Sequence, residues 1–170
     1  MGGAVSLSAR VKAYIPALSV LVLLWISATP SLFGSTVTSP NMLLAGGFFF
    51  LLYAPTTLPS WRMFLLGLAQ DALSGTPLGL WALIAVMLWA ILARVGRNLV
   101  HQPWHVQWVA AIVISAALLA IASLCMALLA KQPVALMPQL HAIAMLALWY
   151  PLLYLMLSYV LKILPAMPQR

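Results

Sequence analysis

Long apolar stretches dominate this chain, and short polar or proline-containing segments separate them. A helix needs about 20 apolar residues to cross a bilayer, and several of these stretches approach or exceed that length. The pattern predicts six helices, and no segment repeats another, which argues against an inverted-repeat transporter. The predicted spans cover residues 14–33, 41–54, 60–73, 78–93, 106–130 and 140–161. We therefore expect an all-α integral membrane protein, a six-helix transmembrane bundle that forms a single multi-pass domain over residues 1–170.

The second and third predicted spans are short for membrane helices. Their uninterrupted apolar parts have about 13 residues each, or roughly 20 Å of helix, whereas the hydrocarbon core is ~30 Å thick. A turn at membrane depth is tolerated only where protein or a cavity shields it. We therefore expect the turn over residues 74–77 to be recessed.

Composition strengthens the membrane prediction. Hydrophobic residues make up 65% of the chain and charged residues 5%, too few charges to cover the surface of a soluble domain. The net charge of +7 comes from scattered single residues rather than a basic patch, so we expect no nucleic-acid partner. The lone cysteine, Cys125, lies in an apolar stretch and is expected to pack as a small hydrophobe.

The basic residues also predict an orientation. With a cytoplasmic N-terminus, six crossings place seven of the eight Lys and Arg residues inside and only Lys131 outside. This is the asymmetry of the positive-inside rule, so both termini are predicted to be cytoplasmic. A cleaved signal peptide over residues 1–30 is the alternative, because Arg10 and Lys12 precede an apolar core. No clean small-x-small cleavage site follows, and removing the segment would spoil the charge balance.

The one acidic residue, Asp71, lies in an apolar run and is followed by a turn sequence. Gly75 suits the left-handed conformation that ends a helix, Thr76 suits the cap of the next helix, and Pro77 suits its first turn. We therefore predict a tight helical hairpin. A buried unpaired charge is costly, so Asp71 should bind N–H groups at the start of the second helix, meet a basic or polar partner, or be protonated. The N–H groups considered are those of Thr76, Leu78 and Gly79.

Helical spacing places Gly67, Asp71 and Ser74 on one face. Three roles for the carboxylate remain open on these grounds. In the first, Asp71 only holds the hairpin closed. In the second, it also shapes a surface for a partner protein. In the third, it relays protons or binds a ligand. His141, near the outer end of the last span, is a further candidate partner for it.

The hairpin sequence resembles the signature of the rod shape-determining protein MreD family. That family has the pattern G-L-x-x-D-x-x-S-G-x-P-L-G-x-x-A-L, and residues 67–83 match every fixed position. The matching site residues are Gly67, Asp71, Ser74, Gly75, Pro77 and Gly79. Pro40 and Asn41 also resemble the start of the family's second helix, although Asn41 replaces the more usual Asp.

The resemblance implies a scaffold in the elongation machinery of the bacterial inner membrane. MreD-like proteins are associated with the bitopic protein MreC, with MreB filaments, and with RodA and its partner, a class B penicillin-binding transpeptidase. Membrane lipids are further expected partners, and self-association is compatible with this role. The fold implied is similar to that of transporter S-components. That likeness raises the alternative of a small-solute binding or transport subunit, although the spans supply few convergent polar groups.

Other residues give little reason to expect an enzyme, a metal or a cofactor. An intramembrane aspartyl protease needs two carboxylates, and a Ser–His pair needs an orienting acid and a nucleophile elbow. His101 and His105 have the spacing of two metal ligands, but Pro103 lies between them and no acid or cysteine is near. We interpret this segment as a loop at the lipid headgroups, where Arg94 and Arg97 would also reach acidic lipids or a cytoplasmic partner.

Overall fold

The structure, a computed structural model, describes residues 15–28, 41–130 and 136–163. Within these ranges it contains six α-helices and no β-strand. One 3₁₀ turn, Pro55–Thr57, separates the second and third helices. The helices are α1 (Ile15–Ala28), α2 (Met42–Tyr53), α3 (Ser60–Ser74), α4 (Leu80–Leu99), α5 (Trp104–Ala130) and α6 (Leu136–Ile163).

The six predicted helices are all present, with different ends. The largest difference is in α4, which begins at Leu80 rather than residue 78 and continues to Leu99 rather than residue 93. The helix continues because Leu92, Gly96 and Leu99 keep one face buried beyond the predicted end. Ser60 is the first residue of α3, and Pro59 is its N-cap. Residues 29–33 of the first predicted span lie outside the described residues.

Among the described residues, three helices are long and apolar enough to cross a membrane, namely those over Leu80–Leu99, Trp104–Leu128 and Met137–Tyr159. Shorter apolar helices run over Ile15–Trp25 and Met42–Tyr53. At about 1.5 Å per residue, α2 and α3 are each well short of the ~30 Å hydrocarbon core. The chain is therefore a helical protein with the character of a membrane protein.

Helix α2 is the centre of the bundle. Every residue from Met42 to Leu52 is buried, and α2 contacts the five other helices. An apolar sequence on all faces is typical of a helix that is surrounded by protein, and the two glycines of α2 face neighbouring side chains. The Asn41 side chain caps its start by accepting the N–H of Leu44 at 3.2 Å.

A polar junction joins three helices at the end of α2. The Tyr53 hydroxyl donates to the Gln107 side chain on α5 and lies 3.5 Å from the hydroxyl of Tyr154 on α6. Gln107 is buried, and its amide donates to the backbone oxygens of Val100 at 3.3 Å and Gln102 at 2.9 Å. Gln107 therefore fixes the α4–α5 connection to the bundle.

A proline within α6 is compensated by a side chain from α5. Pro151 has no N–H, so it cannot bond to the carbonyl of Ala147 one turn earlier. The indole N–H of Trp108 donates to that carbonyl oxygen at 3.1 Å. A helix defect thus becomes a contact between helices, as is common where proline occurs in membrane helices.

Trp108→Phe is expected to lower the free energy of unfolding by about 1 kcal/mol, because the Ala147 carbonyl loses its donor while an aromatic ring remains. In a Pro151→Ala background the backbone N–H of residue 151 can serve that carbonyl, so the same substitution should cost less. Unfolding in detergent of the four proteins in this cycle measures the difference. An equal cost in both backgrounds would show that the indole bond does not compensate for the proline.

Candidate functional site

The turn between α3 and α4 has two residues with positive φ angles. Gly75 ends α3 with φ of 64° and ψ of 21°, which is the left-handed conformation expected of it. Gly79 precedes α4 with φ of 103°. Side chains with a Cβ rarely adopt either conformation. The chain reverses direction within Gly75 to Gly79, and α3 packs along α4.

Asp71 is the buried polar centre of this hairpin, with 1% of its surface exposed. Its Oδ1 accepts the hydroxyl of Thr76 at 2.8 Å and the backbone N–H of Trp81 at 3.0 Å. Its Oδ2 accepts the backbone N–H groups of Gly79 at 2.9 Å and Ala82 at 3.4 Å. The carboxylate therefore binds four donors, two on each oxygen.

These contacts satisfy the N–H groups at the start of α4. The first N–H groups of a helix have no partner within the helix. Asp71 accepts those of Gly79, Trp81 and Ala82, and the carbonyl of Pro77 accepts that of Leu80 at 3.2 Å. Gly79 at the N-cap has no side chain to do this, so α3 supplies the cap.

This geometry confirms one expectation and corrects another. Asp71 does meet N–H groups at the start of the next helix, including that of Gly79. However, α4 begins at Leu80, so Thr76 is not its N-cap and Pro77 is not in its first turn. The Thr76 hydroxyl donates to the carboxylate instead. Leu78 contributes no N–H to Asp71 among the described hydrogen bonds.

The donor set suits an ionised carboxylate. Such a group only accepts hydrogen bonds, and each of its oxygens receives two here. The positive end of the α4 dipole also favours an anion at this position. His141 is exposed on α6, and no described hydrogen bond joins it to Asp71. The charge is therefore stabilised within the hairpin by backbone groups and one hydroxyl.

Gly67 allows α3 and α4 to approach closely. A Cβ added at Gly67 would lie 2.5 Å from the backbone oxygen of Trp81 and 2.6 Å from the backbone nitrogen of Ala82. It would also overlap the Ala82 Cα. Because the obstacles are backbone atoms, only glycine fits without moving α4. The same two residues donate N–H groups to Asp71, so the close approach and the cap depend on each other.

Ser74 follows Gly67 and Asp71 on one helical face, but unlike these two buried residues it lies at the exposed end of α3. Its side chain is exposed, and its Oγ accepts the Gln70 amide at 3.1 Å. The tip of the hairpin is exposed as well, with Leu78 at 79%. The site therefore has a buried polar centre and an exposed tip. We call the exposed residues Leu73, Ser74, Gly75, Pro77 and Leu78 the hairpin tip.

The other sequence candidates lie away from Asp71. His101 is in the α4–α5 connection and His105 is in the first turn of α5, and both are exposed. Within the described part of the chain, no group of three His, Cys, Asp or Glu residues could hold a metal ion. Cys125 is partly buried on α5.

Sequence reasoning missed the N–H donors from Trp81 and Ala82. They follow from the position of the helix start, since the second and third residues of a helix carry the N–H groups that a cap accepts. A helix that begins at residue 78 would bond the N–H groups of Trp81 and Ala82 to its own or to the preceding carbonyls, so only the later start at Leu80 makes them available to Asp71.

Comparisons with protein-family models, with curated proteins and with solved structures found no match to this chain. The resemblance of residues 67–83 to the MreD pattern rests on the motif itself.

Proposed function

We propose that this chain is an MreD-like, non-catalytic membrane scaffold of the bacterial cell-wall elongation complex. The observation that carries the proposal is the role of the motif residues in the hairpin. Gly67 allows the close approach, Asp71 caps α4, Gly75 and Gly79 take positive φ angles, and the Pro77 carbonyl accepts an N–H. Four fixed positions of the pattern, Gly67, Asp71, Gly75 and Gly79, meet structural requirements of this kind, which supports a shared hairpin more strongly than an accidental match of letters would.

The state of the carboxylate supports a role without catalysis. Asp71 is the only acidic side chain in the sequence, and four donors occupy its two oxygens. A general acid or base needs a proton-transfer path to its substrate. Asp71 instead holds the hairpin rigid, which suits a surface that must keep one shape for a partner.

The hairpin tip is the surface we assign to MreC. It is uncharged and partly apolar, and its backbone conformation is fixed by the cap beneath it. MreB, RodA and the class B penicillin-binding transpeptidase would then be reached directly or through MreC. The location is the inner membrane, with both termini in the cytoplasm and the tip toward the periplasm.

Co-purification of MreC from native membranes tests the proposal. Leu78→Ala should lower the recovered MreC at least about fivefold, the scale of a side chain that matters at an interface. The matched control is Leu148→Ala on α6, because Leu148 is 71% exposed and Leu78 is 79% exposed. The control should recover MreC like the parent, and both variants should keep the parent's thermal stability.

Two results would contradict the proposal. One is a parent protein that recovers no MreC, and the other is equal recovery from the Leu78 and Leu148 variants, which would contradict the tip as the surface. Reproducible binding of a vitamin-like solute to the parent, without MreC, would favour the solute-binding alternative.

A further inference from the structure

Basic and aromatic side chains gather where α4 ends and α5 begins. Arg94, Arg97, His101 and His105 are exposed there, and Trp104 is 60% exposed. We call these five residues the α4–α5 corner. The two arginines are one turn apart on α4, so their side chains reach neighbouring positions. The Trp104 ring stacks on Trp108, with 6.2 Å between ring centroids and 30° between planes.

No acidic side chain of the protein neutralises this charge. The sequence has one such residue, Asp71, which is buried at the other end of α4 and bound to four donors. The last α4 residue that donates to that carboxylate, Ala82, is about 18 Å along the helix from Arg94. This exceeds the screening length of ~8–10 Å in physiological salt. No acidic side chain of the protein can therefore supply the counter-charge of the corner.

The corner is also held in place. Gln107 lies one turn into α5 and donates to the backbone oxygens of Val100 and Gln102, the residues on each side of His101. Gln107 is itself buried and accepts the Tyr53 hydroxyl. A ligand at the corner would thus meet a connection that is already ordered, which lowers the entropic cost of binding.

We propose that the α4–α5 corner binds the headgroup of an anionic phospholipid. The planar guanidinium groups of Arg94 and Arg97 match phosphate oxygens in geometry and charge. Trp104 has the amphipathic ring that is enriched where acyl chains meet headgroups. Because α4 and α5 are both long enough to cross a membrane, their junction lies at a membrane surface, where lipid phosphates are the most abundant anions.

The test compares phosphatidylglycerol with phosphatidylcholine of the same short acyl chains. The apparent dissociation constant of each lipid is read from the thermal stabilisation of the full-length protein in detergent. The parent should bind phosphatidylglycerol at least about tenfold more tightly than phosphatidylcholine. Arg94→Gln/Arg97→Gln should lose most of this preference, because each basic residue near an anionic surface contributes a factor of about five.

Two controls distinguish the corner from charge in general. Arg94→Lys/Arg97→Lys keeps the charge, so it should keep the preference within about threefold while it weakens the binding of both lipids, because an ammonium group does not match phosphate oxygens as a guanidinium does. Arg10→Gln/Lys12→Gln removes the same charge from the N-terminal segment and should leave the preference unchanged. If Arg94→Gln/Arg97→Gln does not fold, the salt dependence of the parent protein tests the proposal. The preference of the parent for phosphatidylglycerol should fall about tenfold or more between ~50 mM and ~500 mM salt.

Several outcomes would overturn the proposal. The first two are a parent protein that does not prefer phosphatidylglycerol, and a preference that does not fall with salt. The other two are an Arg94→Gln/Arg97→Gln protein that retains the preference, and an Arg10→Gln/Lys12→Gln protein that loses it to the same extent. A corner pair that keeps the lipid preference but loses a co-purified acidic protein would assign the corner to that protein instead.

Discussion

Asp71→Ala is expected to lower the free energy of unfolding by at least about 3 kcal/mol, because several buried donors lose their acceptor at once. The Thr76 hydroxyl and the N–H groups of Gly79, Trp81 and Ala82 all donate to this carboxylate. The buried position leaves little room for water to replace it. Unfolding in detergent, together with the yield of folded protein, measures the loss.

Two further variants give reference values for the loss of stability expected of Asp71→Ala. Asn41→Ala removes another side-chain cap, but that cap accepts only the N–H of Leu44, so it should cost about 1 kcal/mol. Asp71→Asn keeps one acceptor oxygen and places an NH₂ group against the remaining donors, so its cost should fall between the two alanine variants. If Asp71→Ala costs no more than Asn41→Ala, the carboxylate is not the element that closes the hairpin.

The partner assay then distinguishes a staple from a direct contact. Under the proposed function, an Asp71 that only stabilises the hairpin should, when it is replaced, reduce MreC recovery in proportion to the fraction of protein that has unfolded. If Asp71→Ala folds and binds MreC normally while cells lose rod shape, Asp71 serves another partner or a proton. Because the carboxylate is only 1% exposed beneath the hairpin tip, it cannot contact a partner protein at the surface without a change of structure.

The contact between Asp71 and the next helix could be predicted because it is local. A lone carboxylate ahead of a Gly-Thr-Pro turn has few ways to be satisfied in an apolar run, and the start of the following helix is the nearest source of N–H groups. The prediction that Thr76 caps the next helix was wrong, because Thr76 and Asp71 compete for the role of cap. The carboxylate prevails, since it accepts three N–H groups where a hydroxyl in Thr76's place would accept one.

The C-terminal end of α4 was not predicted correctly, for a different reason. The predicted span ends at residue 93, directly before Arg94 and Arg97 interrupt the apolar run. Arginine is a good helix former, and the buried positions of Leu92, Gly96 and Leu99 continue the helical spacing past both of them. The charges therefore mark where α4 leaves an apolar environment, while the helix itself continues.

Contacts between residues far apart in sequence could not be predicted at all. The donation from Trp108 to Ala147 and the junction of Tyr53 with Gln107 both depend on which helices are neighbours. Hydropathy gives each helix and its length, but it carries no information about the partner of each face. The close approach at Gly67 belongs to this group, since glycine alone does not identify the backbone it faces.

Gly67→Ala is expected to be the other severely destabilising substitution, at about 3 kcal/mol or more, because overpacking against a backbone cannot be relieved by a change of rotamer. The new methyl group would meet backbone atoms of Trp81 and Ala82, so α4 must move away. That movement would lengthen the N–H contacts that the same two residues make with Asp71. Thermal unfolding in detergent measures the effect.

Gly96→Ala is the matched control, since Gly96 is also a buried helical glycine and the nearest atoms to its added Cβ are 4.0 Å away. Alanine should be neutral there or raise the free energy of unfolding by about 0.5–1 kcal/mol, because it favours the helix over the unfolded chain. Because Gly67 and Asp71 act on one pair of N–H groups, the double variant Gly67→Ala/Asp71→Ala should cost less than the sum of the single variants. Additive costs would mean that the close approach and the cap are independent, and a Gly67→Ala protein as stable as the parent would mean that α3 and α4 do not pack this closely.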